Sequence, residues 1–289
     1  MTNPDETFRD DGRRRNRTSG PDRVVEVHGV SIEEGILPVN RMNGHEDRPA
    51  TALVVGAGGG IGRSVVRRLS GRGFAMVGIG RNQDRLNEVE GLDERRVCDA
   101  TSFEDLDEVV RSIVEDPERP PLGAIINLAG CITLKPAHLI DEKTWNDTIA
   151  QKLTTAFTCV RSAGRHMKEG GSVVLVSTVA AGIGLANHEA IAAAGAGVEG
   201  LARSAAATYA GRGLRVNVVA PALVDTPMAS RITSSERALE HSRKMHPLGR
   251  IGTPEDVSPA IEWLATEDSG WITGQVIGVD GGLSRVRSG

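Results

Sequence analysis

The chain has 289 residues, of which 39% are hydrophobic and 25% charged, with a formal net charge of -4. That length suits one large α/β domain with a tail. The balance gives no global electrostatic reason to hold nucleic acid or an anionic membrane, so a small-molecule ligand is expected.

Residues 1 to about 22, "MTNPDETFRDDGRRRNRTSG" and the two that follow, are polar and poor in large apolar residues. They predict a disordered tail, because too little burial is available to offset the entropy of ordering them. Their mixed charge lacks the apolar stretch of a signal peptide, and no run elsewhere approaches a bilayer span, so a cytoplasmic protein away from the membrane is expected. The next stretch, "RVVEVHGVSIEEGILPVN", alternates Val24, Val25, Val27 and Val30 with polar residues and predicts a strand or hairpin. Residues 1–47 are read as an N-terminal extension and 48–289 as the domain.

From Thr51 the pattern changes. "TALVVGAGGGIG" is a short apolar strand followed by glycines, and "RSVVRRLSGRG" has helical apolar spacing and stops at Gly71 and Gly73. Further apolar strands are "FAMVGIG", "GAIINLAG", "GSVVLVST", "LRVNVVAP" and "GQVIGVDGG", with helix-like stretches between them. Strands alternating with helices predict a parallel sheet covered on both faces. Gly56, Gly60 and Gly62 sit between strand and helix, where a tight turn, close backbone approach to phosphate and close helix packing are needed together. That position favours dinucleotide binding over a merely tight turn. The second strand ends "GIGRN", where Gly80 leaves space and Arg81 offers a forked cation to a 2'-phosphate, which favours NADP (NADPH) over NAD. The alternative for Arg81 is a solvated loop arginine. Cys98, Cys131 and Cys159 show no metal-ligand spacing and predict buried reduced thiols, with no disulfide framework and no metal site.

These motifs, with "CDAT" (98–101), "NLAG" (127–130), "RVNVVAPALVDTPM" (215–228) and the closing "PLGRIGTPEDVSPAIEWLATEDSGWITGQVIGVDGG", resemble the short-chain dehydrogenase/reductase family from about Ala50 to Leu283. The glycine loop resembles the family's TGxxxGxG, with Val55 in place of Thr, and Ala222 stands where the glycine after Pro221 is usual. The resemblance implies a three-layer, doubly wound parallel sheet, the Rossmann fold. It implies cofactor contacts at Gly56, Gly58, Gly60, Ile61, Gly62, Arg81, Asp99, Ala100, Asn127, Ala129, Gly130, Pro221, Val224 and Thr226. It also implies a homo-oligomer, tetramer or dimer, with helices around 145–168 and 188–210 at one interface. There the small residues Ala192, Ala193, Ala194, Gly195 and Ala196 permit close approach.

Family members move a proton with a Tyr whose pKa is lowered by a Lys four residues on, because residues i and i+4 share a helix face. A Ser holds the substrate oxygen and an Asn completes a relay. Gap-free anchoring places that Tyr on Ile191, the Lys on Gly195, the Ser on Thr178 and the Asn on Lys152. Tyr209 is the only tyrosine; a continuous helix puts it about 27 Å beyond Ile191, and it reads as a helix-end packing residue. Candidates for the missing acid are Thr178, His188 one turn before Ile191, a water, and Lys152, whose long stem could restore the charge lost at Gly195. The alternatives are a polar residue near a helix start for His188 and a lysine reaching solvent for Lys152. Glu189 reads more readily as a first-turn acid after an Asn187 cap. Three functions remain open: an NADP-dependent oxidoreductase with atypical proton delivery, a nucleotide-binding partner without turnover, and non-redox use of the pocket in cyclisation or dehydration.

Overall fold

The computed structural model describes residues 25–27, 30–32 and 50–287. The tail expected to be disordered to about residue 22, and the boundary at 47, lie outside the described residues. Strands β1 (Val25–Val27) and β2 (Val30–Ile32) pair antiparallel as a two-stranded hairpin, in register Val27 to Val30.

Residues 48–289 carry a seven-stranded sheet. Its strands are β3 (Thr51–Val55), β4 (Ala75–Gly80), β5 (Glu94–Val97), β6 (Leu122–Asn127), β7 (Gly171–Val176), β8 (Leu214–Pro221) and β9 (Val276–Val279). All pair in parallel, in the order β5-β4-β3-β6-β7-β8-β9. The order reverses between β3 and β6, which opens a crevice at their carboxyl ends, where ligands bind in sheets of this kind.

The helices are α1 (Gly60–Gly71), α2 (Gln83–Asn87), α3 (Phe103–Val114), α4 (Glu142–Ile149), α5 (Thr155–His166), α6 (Glu189–Tyr209), α7 (Ser230–Thr233), α8 (Glu236–Met245) and α9 (Pro254–Ala265). Successive strand residues point to opposite faces, so each buried strand feeds two cores. Leu53, Ile125, Leu175 and Val218 meet α3, α5 and α6 on one face. Ala52, Val54, Ile126 and Val174 meet α1 and α9 on the other. The expected three layers are therefore present, and the near-continuous apolar runs follow from burial on both faces.

Two features were not expected. The edge strand β5, Glu-Arg-Arg-Val, is polar because only one of its edges pairs. Its Arg95 donates to the Leu86, Val89 and Leu92 carbonyls at 3.1, 2.7 and 2.9 Å, satisfying the end of α2 and the following turn. Between α4 and α5, residues Ala150–Thr154 widen into a π-helical turn whose exit amide, Thr155 N–H, reaches back to Ala150 O. Such turns re-aim side chains and cluster at functional sites; this one carries Lys152.

Candidate active site

The glycine turn between β3 and α1 forms one wall of the crevice. Gly56 has φ +82 and donates its N–H to Ile79 O at 2.9 Å, a left-handed conformation that favours glycine. A Cβ on Gly62 would lie 2.4 Å from Gly56 O, so α1 packs onto the turn at a distance only glycine allows. The turn abuts the loop after β6, since a Cβ on Gly56 would stand 3.1 Å from Ala129 N and from the Leu128 carbonyl carbon. Thr226 meets Gly60 from the third side, with its Cγ2 2.8 Å from a Cβ there. Helix α1 has no side-chain cap and no acid in its first turn, unlike α2, α3, α4 and α8. Its first amides, with half-buried Ile61 among them, thus face the crevice free of carboxylate, as an anionic ligand requires.

The other expected contact residues lie at or just after the ends of β4, β5, β6 and β8. Arg81 follows β4 in an exposed position. Arg85, which the sequence reading did not single out, lies against Gly58, its Cβ 3.0 Å from a Cβ built there. Asp99 is exposed and accepts from Thr101 N and Oγ1 at 3.0 and 2.9 Å. Next to it, the buried Ala100 accepts from Thr158 Oγ1 through its carbonyl at 2.6 Å. Asn127 is buried at the end of β6; its Oδ1 accepts from Ala129 N and its Nδ2 donates to Thr155 Oγ1, both at 3.1 Å. It therefore fixes the 127–130 loop against α5. Pro221 ends β8, and Val224 makes a parallel bridge to Gly252.

Lys152 is 6% exposed, and its Nζ donates to Ser177 O at 3.1 Å. The reading of a lysine reaching solvent is thereby corrected: the π turn aims the side chain inward, between the loop after β6 and the end of β7. Apart from Gly130 and its two chain neighbours, Nζ is the one heavy atom among the described residues within 4 Å of the position a Cβ on Gly130 would take, at 3.8 Å. Burial pushes the Lys152 ammonium down to about 8, partly offset by the Cys131 thiol, and no carboxylate pairs with it among the described residues.

Ser177 is a site residue that sequence reasoning missed. It is buried, its carbonyl receives Lys152, and its Oγ lies 3.0 Å from both Gly195 O and Glu199 Oε1. The only signal in the sequence was its place beside Thr178 at the strand end. Thr178 is half-buried and its Oγ1 accepts from Ala180 N at 3.3 Å. Ile191 is 7% exposed on the first turn of α6. A Cβ on Gly195 would stand 2.9 Å from Ser177 Oγ and from Thr178 Cγ2, and 3.3 Å from Ala181 Cβ.

Two expectations around α6 and the thiols need correction. Asn187 does not cap the helix: it holds φ +64, and His188 occupies the cap position without a capping side-chain bond. The His188 Nδ1 is instead engaged with the Ala186 carbonyl at 2.7 Å, so the structure ties this candidate to its own loop. Cys98 and Cys159 are buried, with burial raising both thiols, but Cys131 is half-exposed because it lies in the loop lining the crevice. Glu189 accepts from Ala137 N at 3.4 Å. Tyr209 ends α6, with its hydroxyl against Gly164 and its ring under Arg212 at 4.8 Å.

A doubly wound parallel sheet with a glycine turn at its switch point defines a dinucleotide-fold protein. Residues 56–284 match the family model described as enoyl-(acyl carrier protein) reductase, and the chain belongs to the short-chain dehydrogenase/reductase family of oxidoreductases. It is 37% identical over 249 residues to the cis-4-hydroxycyclohexanecarboxylate dehydrogenase of Sinomonas cyclohexanicum, covering 81% of this chain and 96% of that one. It is 33% identical over 240 residues to the 3-oxoacyl-(acyl-carrier-protein) reductase FabG of Thermotoga maritima, covering 80% and 96%. Among solved structures it resembles a short-chain type dehydrogenase/reductase from Mycobacterium ulcerans, with TM-score 0.77, 28% identity and coverage of 83% and 92%. ElxO with NADP bound gives TM-score 0.74 and 25% identity, covering 81% and 98%. No helix among the described residues is long and apolar enough to cross a membrane.

Proposed function

We propose that the chain is an NADP-dependent oxidoreductase for a small carbonyl or alcohol substrate, in which Lys152 supplies the pocket cation that other family members place one helix away. The observation that carries this reading is the buried Lys152 Nζ on Ser177 O, beside Gly130. The glycine turn and the first amides of α1 would hold the pyrophosphate, Asp99 the adenine, and Asn127, Pro221, Val224 and Thr226 the nicotinamide end. Arg81, with Arg85 beside it, would face the 2'-phosphate; neither guanidinium has a carboxylate partner among the described residues. When bound, the cofactor supplies or accepts the hydride, which needs proximity and orientation more than a particular side chain. Thr178 would hold the substrate oxygen. An ammonium that loses its proton near pH 8 is matched to charge developing on that oxygen at neutral pH.

Titration with NADPH and NADH, by fluorescence, tests the cofactor. NADPH is expected to bind more tightly, and Arg81→Ala to narrow the difference; equal affinities untouched by that change would refute it. Oxidation of NADPH with a panel of ketones and aldehydes then tests turnover. A second reading, a nucleotide-binding partner without turnover, is favoured by the apolar, 7% exposed Ile191 at the position where the family keeps its acid. NADPH binding with a silent panel would select it.

We also infer a homo-oligomer. The groove between α5 and α6, about 350 Å³ and lined by Phe157, Leu201 and Ala205 among others, would receive a second copy. Phe157 is 43% exposed there, with the 41% exposed Phe103 ring 5.5 Å from its own.

A further inference from the structure

Only five of the 34 lysines and arginines are lysines: Lys135, Lys143, Lys152, Lys168 and Lys244. Four are exposed, and Lys152 alone is buried. Three observations distinguish its amine. Its one hydrogen-bond acceptor is a neutral carbonyl, Ser177 O. No carboxylate holds it in the charged form among the described residues. Its Nζ lies 3.8 Å from where a Cβ on Gly130 would stand, and because Gly130 carries no side chain the loop after β6 puts none of its own between that position and the amine. Arginine at this position would serve a purely electrostatic role with a permanent charge; lysine is the basic residue that can become a nucleophile.

We propose that Lys152 is an imine-forming nucleophile that captures aldehydes and ketones in this pocket as covalent adducts. The amine lone pair attacks the carbonyl carbon while the π pair moves to oxygen, which takes a proton to give a carbinolamine. Loss of water then leaves a C=N bond to Nζ, with no change in oxidation state. One N–H can stay on Ser177 O during the attack, which fixes the direction of the lone pair. The oxygen leaves as water, with the proton that it took from Nζ and a second from solvent, and Nζ keeps one N–H as the iminium. Desolvated lysines of this kind are the ones that form Schiff bases. The inference deepens the reading above, since it rests on the same pocket receiving the carbonyl, but it does not require the cofactor.

The test uses the full chain without cofactor, incubated with propanal and sodium cyanoborohydride, which reduces an iminium to a stable propyl amine. Peptide mapping follows the propyl group at each of the five lysines. At pH 7 the neutral amine is about one part in ten for Lys152 and about one in several thousand for an ordinary exposed lysine. Lys152 is therefore expected to label at least ten-fold faster than any of the other four, with a rate that levels above pH 8, whereas theirs keeps rising. Lys152→Arg should abolish labelling of that peptide and leave the other four unchanged. Labelling spread over Lys135, Lys143, Lys168 and Lys244 with none at Lys152 would overturn the proposal. NADPH titration of the same sample separates the two readings: binding without trapping removes the imine alone, and trapping without binding removes the cofactor assignment alone.

Discussion

Replacing Lys152 with methionine is expected to stabilise the fold at neutral pH while altering the site. The side chain is 6% exposed, and burial lowers its pKa from 10.5 to about 8. Between those two values the unfolded chain binds more protons than the folded one, so stability rises with pH across that window. Below pH 8 the full cost of burying the charge is present. A shift of that size corresponds to about 3 kcal/mol at about 1.4 kcal/mol per unit. Losing the bond to Ser177 O takes back about 1 kcal/mol, and methionine refills most of the volume. Lys152→Met should therefore be more stable by about 2 kcal/mol at pH 7, a rise in Tm of roughly 4–8 °C for a body of this size. At pH 10 the burial cost falls below about 1 kcal/mol, and the advantage should vanish. Thermal melts of both proteins at pH 7 and pH 10 measure this double difference, so any effect of pH on the rest of the molecule cancels. A variant less stable by the same margin at both pH values would show that Lys152 is not a buried charge, and the proton-donor role would fall with it.

Two glycines of α6 test how tightly the helix is held against the site. Gly195→Ala gains up to about 1 kcal/mol of helix propensity but drives a methyl to 2.9 Å from Ser177 Oγ and Thr178 Cγ2, so a net loss of about 1 kcal/mol is expected. Gly200→Ala, with nothing within 4 Å, should instead gain about 0.5–1 kcal/mol; equal gains in Tm for the two would mean the packing against residues 177–181 is looser than described. For assembly, light scattering at micromolar concentration should give a dimer or tetramer, and Phe157→Asp should shift it toward monomer. A monomeric wild type would remove the α5–α6 groove as an interface.

What could be read from the sequence was what depends on neighbours along the chain. The glycine turn was legible because Gly56 and Gly62 answer local backbone needs, a positive φ and a close helix contact. Strands β3, β4, β6, β7, β8 and β9 were legible because burial on both faces leaves apolar runs. Strand β5 was not, because a charged edge strand looks like loop until the partner strand is known. The depth of Lys152 was hidden for a different reason. Spacing on a regular helix placed it on the right face, but the π turn at Ala150–Thr154 decides how far inward it points. Ser177 and Glu199 lie on separate elements, and only the fold brings the hydroxyl to 3.0 Å from the carboxylate. Asn187 was misjudged because a good capping residue was assumed to cap, whereas its left-handed conformation turns the chain before the helix begins.

Gly195 and Lys152 are coupled through the end of β7 for a steric reason. Because Gly195 has no side chain, Ser177 and Thr178 can close to within 2.9 Å of where its Cβ would be. That closure brings the end of β7 against α6, where Ser177 Oγ bonds the Gly195 carbonyl at 3.0 Å. The same residue's carbonyl receives Lys152 Nζ at 3.1 Å. One residue thus joins Gly195 to Lys152. A lysine restored at 195 would have to displace Ser177 or Thr178 first, which would also disturb the acceptor that positions Lys152. On the function proposed above, Lys152→Gln with Gly195→Lys should therefore not recover the wild-type site, because the added side chain meets Ser177 Oγ and Thr178 Cγ2 at 2.9 Å from its first carbon.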